Sequence, residues 1–367
     1  MLEVALNFLE KIEEHGYQAY IVGGFVRDYL LGIESNDIDI ATNARPSDIK
    51  LIFKDNCMPN DDYGSVVVMV KNTRFEVTTF RKEISYVDNR KPLEYVYIDD
   101  LKEDLLRRDF TINAICMDKD KNIIDLLNGR DDLDKMEINT IGNSIDKFTE
   151  DALRILRAVR FATVLDFKLS DEVKEGIIST RHLLSNLSYE RKKEELDKIF
   201  SSIHVKYGVK LLIELGLDIE LELSNLKNIN CFDSLIGIWT LLDVESIYPF
   251  TKNEKDIISD IKEAMKEDIL NPMTLYKYGL YISSIVGDIK GLDRKKITFE
   301  YENLPIKERN EIDISGDEII AILNKEPGAY LKEIYSDLEE SIIRGNLVND
   351  NKIIKEYIVN KYINTQI

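Results

Sequence analysis

The sequence has few of the residues that form disulfide frameworks and zinc sites. Its 367 residues include only three cysteines, Cys57, Cys116 and Cys231, which lie far apart and form no CxxC pair. The three histidines are equally dispersed and form no HD-type cluster. These counts argue against a disulfide-rich secreted protein, a structural zinc site and an appended phosphohydrolase. They fit a reducing compartment, so we expect a cytoplasmic protein.

Long apolar runs are also scarce, and the chain lacks a net positive charge. No apolar stretch approaches the roughly 20 residues that a membrane helix needs, and the first helical segment, LEVALNFLEKIEEHG, lacks the basic start of a signal peptide. The net charge is −19, whereas nucleic-acid binders usually carry a basic face. Such a partner is not excluded, because salt confines the field of a local basic region to about 10 Å.

Strand signals are confined to the first part of the chain. β-branched and alternating segments are AYIV (19–22), DIDIA (37–41), SVVVMV (65–70), RFEVTTF (74–80) and AICMD (114–118). Beyond about residue 146 these signals fade, and helical periodicity continues to the end. We therefore predict an α/β head followed by an all-helical remainder.

A Gly-Gly turn in the first part is typical of a phosphate site. The apolar run Tyr20 to Val22 ends in Gly23-Gly24, and a helical segment with Arg27 in its first turn follows and ends before Gly32. Glycines let the backbone approach a ligand closely, and the free N–H groups of a helix N-terminus attract anions. A Gly-Gly turn alone remains weak evidence.

Two aspartates follow this turn in strand-like alternation. Asp37 and Asp39 alternate with isoleucines, so a strand would place both carboxylates on one face. Such neighbours repel each other unless a cation lies between them, and hard oxygen ligands suit Mg²⁺. Glu76, in RFEVTTF, is the best candidate for a third acidic ligand. The alternatives are a solvated strand face for the pair and an ordinary surface residue for Glu76.

These motifs resemble a known family. GGFVRDYLLG followed by NDIDIAT is similar to the signature of class II tRNA nucleotidyltransferases and bacterial poly(A) polymerases, within the DNA polymerase β superfamily. The resemblance implies that Gly24 and Arg27 hold a nucleoside triphosphate, and that Asp37 and Asp39 bind two Mg²⁺ ions in catalysis, with Glu76 as the further candidate.

Two further blocks match the same family. RRDFTINAI (107–115) resembles its second motif, which implies that Arg108 and Asp109 bind the sugar and phosphates of the nucleotide with help from Asn113. IIDLLNGRDDL (123–133) resembles its third motif, and we interpret it as a structural turn. Taken alone, RRDFTINAI could equally be an ordinary helix start with charged caps.

The segment EDALRILRAVRF (150–161) has the pattern of an amphipathic helix. Ala152, Ile155, Leu156 and Val159 recur at i, i+3, i+4 and i+7 and predict a buried face. The charged residues then lie elsewhere on the helix, with Asp151 about 60° from Arg154 by helical geometry. The plain interpretation is an ion pair on a solvated helix, which contributes only a few tenths of a kcal/mol.

The same segment resembles the EDxxR motif of the family, which selects the nucleotide. Cytosine and adenine both present an exocyclic amino donor beside a ring-nitrogen acceptor, so Asp151 and Arg154 could bind both bases. Guanine and uracil reverse that order, and each unpaired polar group costs about 1–3 kcal/mol. The resemblance implies that Glu150 completes the motif, with Arg157 and Arg160 as supporting nucleotide-binding residues.

Other segments separate the close relatives. The charged, aromatic stretch 80–100 resembles the loop that CCA-adding and A-adding enzymes need for the terminal A, although a plain solvated loop would have the same composition. MPNDDYGSVVVMV lacks the basic segment usual in poly(A) polymerases of this family, which favours tRNA as substrate. The resemblance continues weakly through 187–200 to the C-terminal region.

The resemblance implies a complete architecture and activity. We expect a DNA polymerase β-type head at 1–145, a helical neck at 146–200, a helical body at 201–270 and a tRNA-binding helical tail at 271–367. The expected reaction is template-independent addition of CCA to the tRNA 3′ end from CTP and ATP, with pyrophosphate release. The alternatives are A-addition alone, poly(A) synthesis and, in another class, a non-catalytic RNA-binding protein.

Overall fold

The chain folds into two compact units. The computed structural model describes residues 1–35, 37–58, 64–87, 91–231 and 233–364. Its first unit comprises Met1–Lys227 and its second Asn228–Ile367. The finer division of the chain predicted from the sequence stays a prediction. No helix in the described part of the chain is long and apolar enough to cross a membrane.

The first unit contains a mixed six-stranded sheet, a β-hairpin and a small parallel pair. The described strands are β1 Ala19–Val22, β2 Ile38–Thr42, β3 Ser65–Val70, β4 Thr73–Thr79, β5 Arg81–Val87, β6 Lys91–Tyr97, β7 Cys116–Met117, β8 Ile123–Ile124, β9 Glu137–Ile138 and β10 Lys168–Leu169. The large sheet has the order β3-β4-β2-β1-β7-β8, β5 pairs with β6, and β9 pairs with β10.

Helices surround this sheet and form the rest of the first unit. Those described are α1 Leu2–Glu13, α2 Gly24–Leu31, α3 Pro46–Phe53, α4 Leu101–Leu106, α5 Gly129–Asp134, α6 Ser144–Glu150, α7 Leu153–Leu165, α8 Asp171–Thr180, α9 Tyr189–Phe200, α10 Val205–Glu214 and α11 Leu217–Glu220. The predicted α/β head followed by helices is therefore confirmed, with β10 as a two-residue strand among the later helices.

The central strands follow the alternation seen in the sequence. Ile38 and Ile40 are fully buried beneath the sheet, while Asp39 between them points to the opposite face. β2 runs antiparallel to β1 and parallel to β4, and this register places Asp39 directly beside Glu76. The predicted strands are confirmed, although β2 begins one residue later than expected and AICMD is reduced to Cys116–Met117.

One segment differs from the prediction. The stretch 80–100, which resembled a loop, is mostly the antiparallel hairpin of β5 and β6, with Arg81 opposite Tyr97. The residues between the two strands, 88–90, lie outside the described residues, as do residues 59–63 of the MPNDDYGSVVVMV segment. The interleaved polar and aromatic residues fit a loop by composition alone. The same alternation also fits a β-hairpin, in which successive side chains point to opposite faces.

The EDALRILRAVRF segment begins with a break between two helices. The predicted buried face is confirmed, since Ala152, Ile155, Leu156 and Val159 are all fully buried. The placement of Asp151 on the same helix as Arg154 was wrong: α6 ends at Glu150, and Asp151 has an extended backbone (φ −144°, ψ 106°). Its carboxylate accepts a hydrogen bond from the Leu153 N–H at 3.0 Å, so it caps α7 instead of continuing α6.

The second unit is helical throughout its described elements. These are α12 Leu235–Leu242, α13 Lys252–Ala264, α14 Pro272–Ile289, α15 Arg294–Glu302, α16 Gly316–Leu323, α17 Tyr330–Ile343 and α18 Asn351–Tyr362. Ile319, Leu338 and Ile354 form a core between α16, α17 and α18. Arg309 makes two hydrogen bonds to the Glu339 carboxylate at 2.7 and 2.9 Å, which fixes the segment before α16 on α17.

The block IIDLLNGRDDL forms the structural turn predicted for it. Asp125 accepts hydrogen bonds from the backbone N–H groups of Gly129 and Arg130, each at 2.9 Å, and so caps α5. Asp132 accepts a hydrogen bond from the Thr111 hydroxyl at 2.5 Å. A Cβ at Gly129 would lie 2.3 Å from the Thr111 carbonyl oxygen. The glycine therefore permits close packing of α5 on the RRDFTINAI segment.

We expect Gly129→Ala to destabilise the first unit by about 2–3 kcal/mol, because the added methyl group must displace backbone. Equilibrium denaturation in urea measures the effect. The matched control is Gly316→Ala at the first residue of α16, where a Cβ would have its nearest neighbour, the Tyr335 hydroxyl, at 3.9 Å. Equal stability of the two variants would contradict the packing argument.

Candidate active site

A polar cavity of about 740 Å³ in the first unit collects residues from distant parts of the sequence. All of the predicted site residues except Glu76 lie in its wall. These are Gly24, Arg27, Asp37, Asp39, Arg108, Asp109, Asn113, Asp151, Arg154, Arg157 and Arg160. The residues of these sequence motifs therefore meet in one place, between the inner strands β1 and β2 and the helix α7.

The Gly-Gly turn forms one end of the cavity. Gly23 has φ 83° and ψ −141°, a conformation that favours glycine, and α2 begins at the next residue. A Cβ at Gly23 would lie 3.4 Å from a carboxylate oxygen of Asp39 and 4.0 Å from a guanidinium nitrogen of Arg108. The turn thus passes close to both charged groups, and the free N–H groups of the α2 N-terminus suit an anion.

The aspartate pair has the electrostatics of a cation site. Burial and the neighbouring carboxylate of Asp37 raise the pKa of Asp39 from 3.8 to about 6, although Arg108 partly opposes the shift. Among the residues that the structure describes, Asp39 forms no ion pair. A divalent cation would relieve the repulsion between these carboxylates, and their hard oxygen donors fit such an ion.

Glu76 lies beside this pair without belonging to the cavity wall. It is the direct neighbour of Asp39 on β4, and its carboxylate lies 3.6 Å from the Arg74 guanidinium. No group of three histidine, cysteine or acidic side chains in the described ranges is arranged to surround a metal ion. The role of Glu76 as a third ligand therefore stays a prediction.

A chain of buried hydrogen bonds joins three of the sequence motifs. The Arg27 guanidinium on α2 donates to the Asn113 side-chain oxygen at 2.7 Å. Asn113 in turn donates to Asp109 at 3.3 Å, and Arg157 on α7 donates to the other Asp109 oxygen at 2.7 Å. Head and α7 are thus connected through side chains that are predicted to contact the nucleotide.

Asp109 is ionised, and its charge strengthens these hydrogen bonds. Burial alone would raise its pKa, but the Arg157 guanidinium and the hydrogen bond from the Phe110 N–H lower it to about 2. Asp109 is therefore fully charged near neutral pH. Both of its oxygens accept hydrogen bonds from protein groups, one from Asn113 and the Phe110 N–H and the other from Arg157.

An ion cluster that the sequence did not predict lies behind the cavity wall, to which it contributes Glu83, Arg107 and Arg108. Asp104 on α4 is almost fully buried and pairs with Arg107 at 2.8 Å and with Arg108 at 3.3 Å. Glu83 on β5 lies 3.8 Å from Arg107, so the hairpin joins the same cluster. The spacing of Asp104 to the two arginines, i+3 and i+4 across the end of α4, was a usable signal.

Asp151 and Arg154, the predicted base-selecting pair, form their described ion pairs with other residues. Arg154 donates to Glu150 at 2.5 Å and to the backbone oxygens of Lys147 at 3.1 Å and Arg107 at 3.0 Å. Asp151 instead lies 3.6 Å from Arg191 on α9, and burial raises its pKa. Arg191 is a further cavity residue that the sequence did not predict.

Three protein families match successive parts of the chain. Residues 19–139 match the poly A polymerase head domain. Residues 166–219 match a family described as the probable RNA and SrmB-binding site of polymerase A, and residues 247–358 match a putative tRNA nucleotidyltransferase domain 2. Together with the Gly-Gly turn and the paired aspartates, the first match identifies a nucleotidyltransferase head.

Curated relatives cover almost the whole chain. The CCA-adding enzyme of Ligilactobacillus salivarius is 36% identical over 96% of this chain and 95% of its own length. That of Bacillus cereus is 32% identical over 96% and 97%. The crystal structure of the Bacillus stearothermophilus CCA-adding enzyme in complex with CTP superposes with a TM-score of 0.85 at 28% identity, covering 99% of this chain and 98% of that one. The chain belongs to the CCA-adding enzyme family.

The raised pKa of Asp39 predicts that this carboxylate destabilises the metal-free protein. Between about pH 4 and pH 6 the Asp39 carboxyl keeps its proton in the folded state, whereas the unfolded chain releases it. The free energy of unfolding therefore falls as the pH rises through that window. Asp39→Asn removes the charge. We expect the variant to be more stable than the parent by about 1–3 kcal/mol near pH 7, and by less near pH 5.

Urea denaturation with a chelator present measures this difference, with Asp134→Asn on the exposed end of α5 as the control. A divalent cation should then stabilise the parent protein more than Asp39→Asn, because binding to the folded state adds to its stability. A variant less stable than the parent at both pH values would contradict the assignment.

Proposed function

We propose that this chain adds CCA to the 3′ end of tRNA from CTP and ATP, without a nucleic-acid template and with release of pyrophosphate. The observation that carries the proposal is the single cavity in which the Gly-Gly turn, Asp37, Asp39 and the residues of the RRDFT and EDxxR segments meet. Membership of the CCA-adding family, over nearly the full length of the chain and its relatives, supports the same activity.

The first step is binding of the nucleoside triphosphate. Gly24 and the N-terminus of α2 offer N–H groups to the phosphates, and Arg27 and Arg108 supply positive charge in the same wall. Asp37 and Asp39 would hold the divalent cations, for which Mg²⁺ is our choice. When bound, these ions would neutralise the triphosphate and favour ionisation of the tRNA 3′-hydroxyl. The residues of the cavity then act by positioning.

Selection of the base falls to Asp151 and Arg154. Asp151 would accept from the exocyclic amino group of cytosine or adenine, and Arg154 would donate to the adjacent ring nitrogen. Both line the cavity, and both are largely buried, so a mismatched base would leave polar groups unpaired out of water. This arrangement explains a preference for C and A without any template strand.

The partners and the location follow from this activity. The substrates are tRNA, CTP and ATP, and we place the reaction in the cytoplasm, where tRNA matures. The predicted helical neck at 146–200 would carry the nucleotide-selecting motif, the body at 201–270 would follow it, and the tail at 271–367 would bind the tRNA while the head carries the chemistry.

A panel of tRNAs ending at the discriminator base, at C or at CC tests the activity against its rivals. Full CCA addition requires CTP incorporation into the first substrate and one terminal A on the last. ATP incorporation into only the CC-ending tRNA would indicate an A-adding enzyme, and growth beyond one A would indicate poly(A) synthesis. Binding of tRNA without incorporation of either nucleotide would indicate a non-catalytic RNA-binding protein.

Asp37→Ala should abolish nucleotide incorporation, by at least about a thousandfold, because one of the two carboxylates that hold the cations is lost. The fold should survive, since the substitution relieves repulsion instead of opening a core. Incorporation of labelled CTP measures activity, and thermal unfolding checks the fold. Asp134→Ala, on the exposed end of α5, serves as the control. Near parental incorporation by Asp37→Ala would overturn the metal assignment.

Arg154→Ala should lower the preference for CTP over UTP by about 10- to 100-fold in kcat/KM, because the donor to the ring nitrogen is lost. Binding of tRNA should change much less. Gel-shift titration with tRNA and kinetics with all four nucleotides provide the two measurements. Arg130→Ala, at an exposed position of α5, is the control. Unchanged rejection of UTP and GTP would exclude this role for Arg154.

A further inference from the structure

Three guanidinium groups of the cavity surround one aromatic ring. Arg160 lies 4.2 Å from the ring centroid of Phe161, Arg27 lies at 5.1 Å, and Arg157 lies at 5.3 Å. Arg27 comes from α2, whereas the other three residues come from α7. Phe161 itself forms part of the cavity wall and is 9% exposed. The ring therefore lies where the two elements bring their positive charges together.

Each of these arginines also has one carboxylate partner. Arg27 pairs with Asp28 at 2.7 Å, and Arg157 pairs with Asp109 at 2.5 Å. Arg160 pairs with Glu195 of α9 at 3.1 Å. The three acidic residues lie on different elements, and only Asp109 links two of the guanidinium groups, since it joins Arg157 to Arg27 through Asn113. Phe161 is the contact that the three share.

The environment of Arg160 combines burial with two neighbouring cations. Burial lowers the pKa of Arg160 to about 10, although Glu195 opposes the shift, and Arg157 and Arg27 lower it further by repulsion. Although each guanidinium group has a carboxylate partner, Arg157 and Arg27 still repel Arg160. The face of the ring offsets part of that repulsion, because its π electrons attract each guanidinium group.

We propose that Phe161 is a positioning residue that holds Arg27, Arg157 and Arg160 as a preformed site for the phosphate groups of the incoming nucleotide. The proposal rests on the proposed function and extends it to a residue with no polar atom in its side chain. A guanidinium group over a ring has five N–H donors, so it can contact a carboxylate and still donate to phosphate oxygens. A fixed arrangement also reduces the entropy lost when the triphosphate binds.

A purely structural role would make different demands on the side chain. Phe161 does pack edge-on against Phe110, with ring centroids 5.7 Å apart. A leucine could supply much of that apolar contact, but it could not stack three cations. Substitutions that keep or remove the aromatic ring therefore distinguish a role in holding the arginines from a role in packing alone.

The test is equilibrium binding of CTP and of inorganic tripolyphosphate to the full chain, with a divalent cation present. Phe161→Leu should weaken both ligands by about tenfold, since the ring contacts of three cations are lost. Phe161→Tyr keeps the ring and should recover most of the affinity. Phe167→Leu, a buried phenylalanine just after the same helix, is the matched control and should bind both ligands as the parent does.

Kinetics then separate positioning from damage to the fold. Phe161→Leu should raise KM for CTP and ATP in parallel and leave the preference for C and A over U and G unchanged, because base selection is assigned to Asp151 and Arg154 and not to the arginines at the ring. Unchanged tripolyphosphate binding by Phe161→Leu would overturn the proposal, as would failure of Phe161→Tyr to recover affinity while it is folded. These binding results stand whether or not the chain proves to add CCA.

Discussion

The buried carboxylate of Asp109 is the interaction on which the first unit depends. One of its oxygens accepts from Asn113 and the Phe110 N–H, and the other from Arg157 of α7. Asn113 then accepts from Arg27 of α2. A single ionised group therefore connects the sheet-bound head to α7, the helix that carries Arg154. Removing it would leave several donors unpaired in a buried place, which costs more than losing one bond.

Charge in the cavity is left incompletely balanced at two places. Asp39 on the sheet side has its pKa raised to about 6, and Arg160 on the helical side has its pKa lowered to about 10. Burial is the main cause of both shifts, so each charged group is poorly solvated where a cation and phosphates are proposed to bind. A metal-bound nucleoside triphosphate supplies both opposite charges together, so substrate binding releases a strain that folding alone tolerates.

Local patterns in the sequence were enough to predict the α/β head and the aspartate pair, whereas most of the other candidate site residues came from the family resemblance. The alternation of Asp37 and Asp39 with isoleucines predicted their shared face, and the spacing of the apolar residues after Asp151 predicted the buried side of α7. These features depend on residues that are close in the chain, so the periodicity of the sequence is enough to predict them. The family resemblance added the roles of residues that no local pattern assigns.

Features that depend on distant partners were not predictable in the same way. The break before α7 arises because Asp151 caps that helix and Arg154 donates to the Lys147 carbonyl at the end of α6. Helical spacing continues through the break, so the pattern conceals it. The pairing of Asp151 with Arg191, and of Arg160 with Glu195, requires α9 to pack on α7, which no single segment encodes.

The register between β2 and β4 limits how this head can diverge among related proteins. Asp39 lies beside Glu76, and successive residues of each strand face opposite sides of the sheet. Inserting or deleting one residue inside β4 would move every following side chain to the other face, and would exchange buried Val77 for a polar neighbour. Changes in chain length are thus expected in the turn between β3 and β4 or beyond the strand ends, while the length of the paired segment stays constant.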